Sequence, residues 1–356
     1  MSGTYLVSPY LIPTGLLTGK SAARAIAAKL ALPLAGGPIA FAAAELVTRA
    51  ADRSGLRKPV ALADLPADLL RSFATRRQPW AGFDLTRPLI MGIVNVTPDS
   101  FSDGGDFLEA ASAIARGVAL AEAGADILDI GGESTRPGSA PVPADEEVRR
   151  VIPVIRALAE KGLCVSVDTR HAAVMAAAVA AGARIINDVT ALTGDSESEQ
   201  VAARSGAAIV LMHMLGEPQT MQANPVYADA TLDLLDYFAA RLDRLAALGV
   251  DRARISLDPG IGFGKKDPHN LLILHELTAF HGLGCPLTLG VSRKSFIGRL
   301  SRGEAPKERM AGSITLAALG LGQGVQIVRV HDVPETCQAR AMMAALETVG
   351  SGDGLI

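Results

Sequence analysis

Cysteine is scarce in this chain of 356 residues: Cys164, Cys285 and Cys337 stand far apart among apolar neighbours. None belongs to a CxxC pair or to the Cys/His spacing of a zinc site, so they read as ordinary buried thiols. An odd, sparse count also fits a reducing compartment. The six histidines are equally dispersed, which argues against a transition-metal centre held by the protein. Surplus charge is missing too. With 34 basic against 37 acidic residues and no long basic run, the chain lacks the electrostatic footprint of a nucleic-acid binder. The uncharged stretch 30–44 is too short to cross a bilayer and is broken by Pro33, Gly36, Gly37 and Pro38. No secretory leader is expected, because the first charged residue is Lys20 and Pro9 and Pro13 interrupt the region where its apolar segment would lie. The expectation is a cytoplasmic protein with no nucleic-acid and no membrane partner.

What is present is a large apolar fraction, 49% of residues, enough to bury a sizeable core. Eight apolar strand candidates follow residue 87, at roughly 89–97, 126–133, 165–169, 185–189, 208–214, 255–258, 287–291 and 327–331. Stretches of helical periodicity follow them, among them 108–123, 146–161, 172–181, 232–248 and 334–349. Eight strand-then-helix units predict an α/β protein of the (β/α)8 TIM-barrel class, whose usual size is roughly 250 residues. A doubly wound open sheet, the main competitor, usually has fewer strands and one glycine-rich fingerprint near its start. The chain then divides into an N-terminal extension, 1–85, a catalytic barrel, 86–350, and a short tail, 351–356. The extension is expected to be helical, from periodic stretches at 22–32 and 40–51. Its role is open: an appendage, a cover for the barrel's amino end, or a subunit interface.

The strand candidates share one anomaly. Strands buried on both faces should be apolar throughout, yet polar residues recur where these strands end. They are Asn95, Asp168, Asn187, Asp258, Ser292, Lys294, Arg329 and His331. Barrel enzymes gather their chemistry at the carboxyl ends of the strands, so the pattern predicts a shared site there. Buried carboxylates are costly unless partnered, so Asp168 and Asp258 imply donors nearby. Pairing with Arg170 or Lys294 in a structural ion network is the alternative. His213, between two methionines, reads better as a satisfied barrel-end histidine than as a catalyst. Gly260-Ile-Gly-Phe-Gly264 followed by Lys265 lacks the ending of a phosphate loop and reads as a tight strand-exit turn that brings Phe263 towards the ligand.

Four long segments, in order, carry a family resemblance: Asn95 to Gly105 (NVTPDSFSDGG), 132–138 (GESTRPG), Asp258 to Lys265 (DPGIGFGK) and Ser292 to Gly298 (SRKSFIG). Together they resemble dihydropteroate synthase across nearly the whole barrel, while the first 85 or so residues lie outside the family's core. The resemblance implies a transferase of folate biosynthesis that joins 6-hydroxymethyl-7,8-dihydropterin diphosphate to 4-aminobenzoate, releasing diphosphate and 7,8-dihydropteroate. It implies Asn187, Asp258 and Lys294 as the pterin set, with Asp168 beside them to hold the pterin or stabilise positive charge at its methylene. Arg329 and His331 would face the diphosphate, and Asn95 a magnesium ion, for which its amide oxygen is a suitably hard ligand. Phe101, Thr135, Pro137, Phe263 and Ser292 would shape the aminobenzoate pocket, with Arg136 in the same loop closing over the diphosphate. A homodimer is the family expectation. A pterin-dependent methyltransferase, which would not need the diphosphate-facing loops or the Ser-Arg-Lys-Ser segment, and a silent pterin-binding protein are the other two readings, and Asn95, Thr135-Arg136, Ser292 and Arg329-Val-His331 favour the synthase over both.

Overall fold

The computed structural model describes residues 9–96, 105–134, 141–217 and 220–348. The N-terminal region consists of β1 (Tyr10–Leu17), α1 (Gly19–Ala27), β2 (Leu32–Pro33), β3 (Ala40–Arg49), β4 (Gly55–Ala61) and α2 (Ala67–Ala74). β3 pairs antiparallel with β1, β2 and β4. The extension is therefore built mainly on a sheet with two short helices, which corrects the expectation of a helical one at 40–51. Phe41, Ala44 and Val47 are buried at a spacing of three, which mimics a helix face, and alanine has high helix propensity. Pairing on both edges of β3 overrides that local preference. The β3–β4 connection is closed by Ala50 N–H donating to the Ser54 carbonyl at 2.8 Å, with Arg53 left-handed at φ 68°.

The barrel strands are β5 (Leu89–Asn95), β6 (Ile127–Gly131), β7 (Val165–Asp168), β8 (Ile185–Asp188), β9 (Ala208–Met212), β10 (Ile255–Asp258), β11 (Thr288–Leu289) and β12 (Ile327–Val330). They run in parallel in the order β10-β9-β8-β7-β6-β5-β12-β11, and a parallel bridge between Leu257 and Leu287 joins the two ends. Outside lie α3 (Gly105–Glu122), α4 (Ala144–Glu160), α5 (Ala172–Ala180), α6 (Ser198–Ser205), α7 (Ala230–Ala247), α8 (Asp267–His275), α9 (Ser295–Leu300), α10 (Met310–Gly322) and α11 (Val333–Thr348). Each strand candidate overlaps a strand, as the (β/α)8 reading requires. Local chemistry sets several helix ends. Asp229 caps α7 by accepting from Leu232 N–H, acids crowd the first turn of α4, and Gly206 ends α6 in the left-handed region.

Two contacts fix the extension to the barrel. Trp80, fully buried, packs with Leu89, Met91, Ile127, Ile185, Val210 and Ile327 at the amino end of the strands, and its Nε1–H donates to the Arg254 carbonyl at 3.0 Å. The sheet itself lies against the outer helices. Arg49 pairs with Asp236 of α7 at 2.6 Å, Tyr10 donates to the same carboxylate at 2.7 Å, and Arg57 pairs with Glu276 at 2.6 Å and Asp229 at 3.0 Å. Plugging the amino end leaves the carboxyl end as the open one.

Candidate active site

At the carboxyl end of the strands, Arg329 of β12 is the hub. Its Nε donates to Asp129 Oδ2 of β6 and its Nη2 to Asp168 Oδ2 of β7, both at 2.6 Å. Asn187 of β8 donates to the same Asp129 oxygen at 3.0 Å. Asp129 has no exposed surface, and its other oxygen, Oδ1, finds no hydrogen-bond partner among the described residues. Burial and the neighbouring carboxylates push Asp168 up, against the pull of Arg329. The Arg329 guanidinium, between two carboxylates, is held firmly cationic despite its burial.

The second group lines a small cavity bounded by Asn187, Asp258, Gly260, Phe263, Lys294 and Arg329. Asp258 accepts from Gly260 N–H at 2.7 Å, yet burial raises its pKa. Lys294 lies over the Phe263 ring with its Nζ 4.1 Å from the centroid, and burial lowers it to about 8, partly offset by Asp258. Asp258, Lys294 and Arg329 thus line one cavity, and Arg329 is held there by Asp129 and Asp168.

A third group stands beside it. Ser292 Oγ lies 3.0 Å from His331 Nδ1 and accepts from the His331 backbone N–H at 3.1 Å. Burial, then Arg329 and Arg293, push His331 down to about 3, so its ring is neutral at physiological pH. Arg293, left-handed at φ 59°, pairs with Asp332 and ties the segment after β11 to the one after β12. Asn95 ends β5 with its side chain exposed. Phe101, Thr135, Arg136 and Pro137 lie outside the described residues.

The structure thus brings Asp168, Asn187, Asp258, Phe263, Lys294 and Arg329 together, with Ser292 and His331 adjoining. Asp168 pairs with Arg329, not with Arg170, which instead pairs with Glu133 at 2.9 Å. Sequence reasoning missed Asp129, although an acid in the middle of Ile127-Leu-Asp-Ile-Gly131 was a signal, since such a group must have a partner inside the barrel. His213, read as a satisfied barrel-end histidine, packs edge-on against Tyr237 with centroids 4.7 Å apart and lies 2.9 Å from Lys265 Nζ.

Residues 91–331 match the family described as pterin binding enzyme. Over 263 residues the chain is 44% identical to the dihydropteroate synthase of Escherichia coli K12, covering 74% of this chain and 93% of that protein. The chain belongs to the dihydropteroate synthases. A dihydropteroate synthase from Xanthomonas albilineans, solved with 4-aminobenzoic acid, aligns with a TM-score of 0.71 and 45% identity over 76% of this chain and 97% of that one. The same species' enzyme in complex with 7,8-dihydropteroate aligns with a TM-score of 0.68 and 43% identity, over 75% and 96%. As a dihydropteroate synthase the chain is a transferase, joining the hydroxymethyl-dihydropterin diphosphate to 4-aminobenzoate with release of diphosphate. The match begins at residue 91, so the N-terminal sheet lies outside the part on which membership rests.

Proposed function

We propose a division of labour for dihydropteroate synthesis among the residues at the barrel mouth, carried by one observation: Asp258, Lys294, Asn187 and Arg329 line a single cavity. Asp258 and Asn187 accept from the amino and ring N–H edge of the pterin, and Lys294 donates to its carbonyl. Phe263 forms a wall. Arg329 and the neutral His331 take the diphosphate, and Ser292, with Phe101, Thr135, Arg136 and Pro137, shapes the aminobenzoate pocket.

In the reaction the bond between the pterin methylene carbon and the diphosphate oxygen breaks first, and its electron pair leaves with diphosphate. Asp168, lodged against Arg329, stabilises the positive charge on the methylene. The aniline nitrogen then attacks that carbon and loses a proton to solvent. A neutral aromatic amine needs no strong base, so orientation is the main contribution, and positioning two reactants can supply roughly 7–11 kcal/mol. A magnesium ion would be held by Asn95, whose amide is a hard oxygen ligand and which ends β5 exposed. When bound, it supplies charge neutralisation to the diphosphate.

Residues 1–85 are the extension, 86–350 the catalytic domain and 351–356 a tail. The protein acts in the cytoplasm, without nucleic-acid or membrane partners. No helix among the described residues is long and apolar enough to cross a membrane. It forms a homodimer, a reading supported by Leu319, Met342 and Leu346, exposed on α10 and α11. The decisive experiment is dihydropteroate formation by purified protein given magnesium and both substrates, beside Asp258→Asn and Lys294→Ala. Product from the wild type, with loss in both variants, is expected. Full activity in either variant would remove that residue from the pterin set.

A further inference from the structure

Lys265 is 1% exposed and burial pushes its ammonium well below the usual lysine range, against the pull of Asp258, while its four hydrogen-bonding partners are neutral. His213 Nδ1 is 2.9 Å away, and the carbonyls of His213, Gly260 and Phe263 stand at 3.2, 3.0 and 3.0 Å. Burying an ammonium is costly, and direct pairing with a carboxylate is the usual offset. Here carbonyl dipoles converge on the nitrogen as they would on a bound cation. Two of them, from Gly260 and Phe263, belong to the turn that leaves β10, and the His213 carbonyl belongs to the segment leaving β9. The ammonium therefore ties two strand exits together from behind the cavity.

The front of the same turn is the proposed pterin subsite. Gly260 N–H donates to Asp258, and the Phe263 ring lies under Lys294. The turn approaches its neighbour so closely that a Cβ on Gly260 would overlap the His213 carbonyl oxygen, and one on Gly264 the Leu215 carbonyl oxygen. Packed this tightly, backbone carbonyls that face one another need a donor between them, and Lys265 Nζ supplies it.

We propose that Lys265 is a positioning residue for the pterin subsite: its ammonium acts as an internal cation that locks the 260–265 turn onto the 213 segment, fixing where Asp258, Phe263 and Lys294 meet the pterin. This rests on reading Asp258 and Lys294 as the pterin set. Lys265 touches no reacting atom. It works through the backbone that carries those residues.

The test is steady-state kinetics of Lys265→Met, nearly isosteric but uncharged, with each substrate varied in turn and thermal unfolding measured alongside. Asp258→Asn is the reference. The expected result is a KM for the dihydropterin diphosphate raised tenfold or more, with kcat and the 4-aminobenzoate KM changed less than threefold. His213→Gln, which removes the ring acceptor and keeps the carbonyls, should raise the pterin KM at least threefold. It decides the question if Lys265→Met does not fold. An unchanged pterin KM in a folded variant, with only a lower melting temperature, makes Lys265 a core group and overturns the inference alone. An unchanged pterin KM in Asp258→Asn overturns the subsite reading and the inference with it.

Discussion

Arg329 shows what one side chain does at this mouth. Its planar fork reaches Asp129 and Asp168 on different strands, a geometry that a lysine's single ammonium does not reproduce. Removing one partner of a buried ion pair costs about 3–5 kcal/mol, because the other charge is left uncompensated. Arg329→Met is therefore expected to lower unfolding stability by about 3 kcal/mol or more and to abolish turnover, as read by urea denaturation and product assay. Lys294 makes a different prediction. Burial lowers it to about 8, so it donates as an ammonium below that pH and loses its charge above it. The kcat/KM for the pterin substrate should fall as pH rises through about 8, since that ratio reports titration of the free enzyme. Its effect on stability has the opposite sign. The unfolded chain holds the proton up to about 10.5, so between about 8 and 10.5 it binds more protons than the folded one, and stability contributed by Lys294 rises with pH in that window. Lys294→Met should remove the rise in stability, read by urea unfolding at several pH values across that window. A pH profile unchanged in that variant would mean that another group titrates.

At the scale of the element, the β10 exit turn is the part of the site most dependent on backbone conformation. Gly260 has φ +66°, and the space a side chain would need is taken by the His213 carbonyl. Left-handed backbone alone costs a substituted residue about 1–3 kcal/mol, and here overlap adds to it. Gly260→Ala is expected to destabilise by at least about 2 kcal/mol and to weaken pterin binding, measured by chemical denaturation and by pterin KM. A variant of native stability would show that the two strand exits can move apart. β3 teaches a related lesson. Its alanine-rich segment has a helix's spacing, but the edges of β1 and β4 are available, and hydrogen bonds to both outweigh a propensity difference of a few tenths of a kcal/mol per residue.

Across the whole molecule, the extension is joined to the barrel by charge as well as by Trp80. Glu276 is 3% exposed and Asp229 6%, and Arg57 of β4 partners both. Arg57→Met would leave two buried acids without that cation. A loss of about 2–3 kcal/mol is expected, below the full figure for a buried pair because Arg57 is itself a quarter exposed. Glu276→Gln in the same chain should recover part of it, and a double-mutant cycle by urea unfolding gives the coupling. Activity at low temperature should persist, because these contacts lie on the outer helices, away from the strand exits. A variant as stable as the wild type would show that the extension rests on the barrel without bracing it.

The sequence by itself determined the barrel and most of its mouth. Strands buried on both faces must be apolar, so Asp168, Asn187, Asp258, Lys294 and Arg329 stood out at their ends, and the eight-fold alternation predicted where those ends converge. Position along a strand is a local property, and it survives folding unchanged. The tertiary structure decided which groups pair. Arg329 chose Asp129 and Asp168 from strands 200 and 161 residues away in the chain, and Lys265 drew its acceptors from two different strand exits. It also turned 40–49 into a strand and set Trp80 under the barrel. These outcomes depend on distances between segments remote in sequence, and a one-dimensional pattern carries residue type and spacing but no such distance.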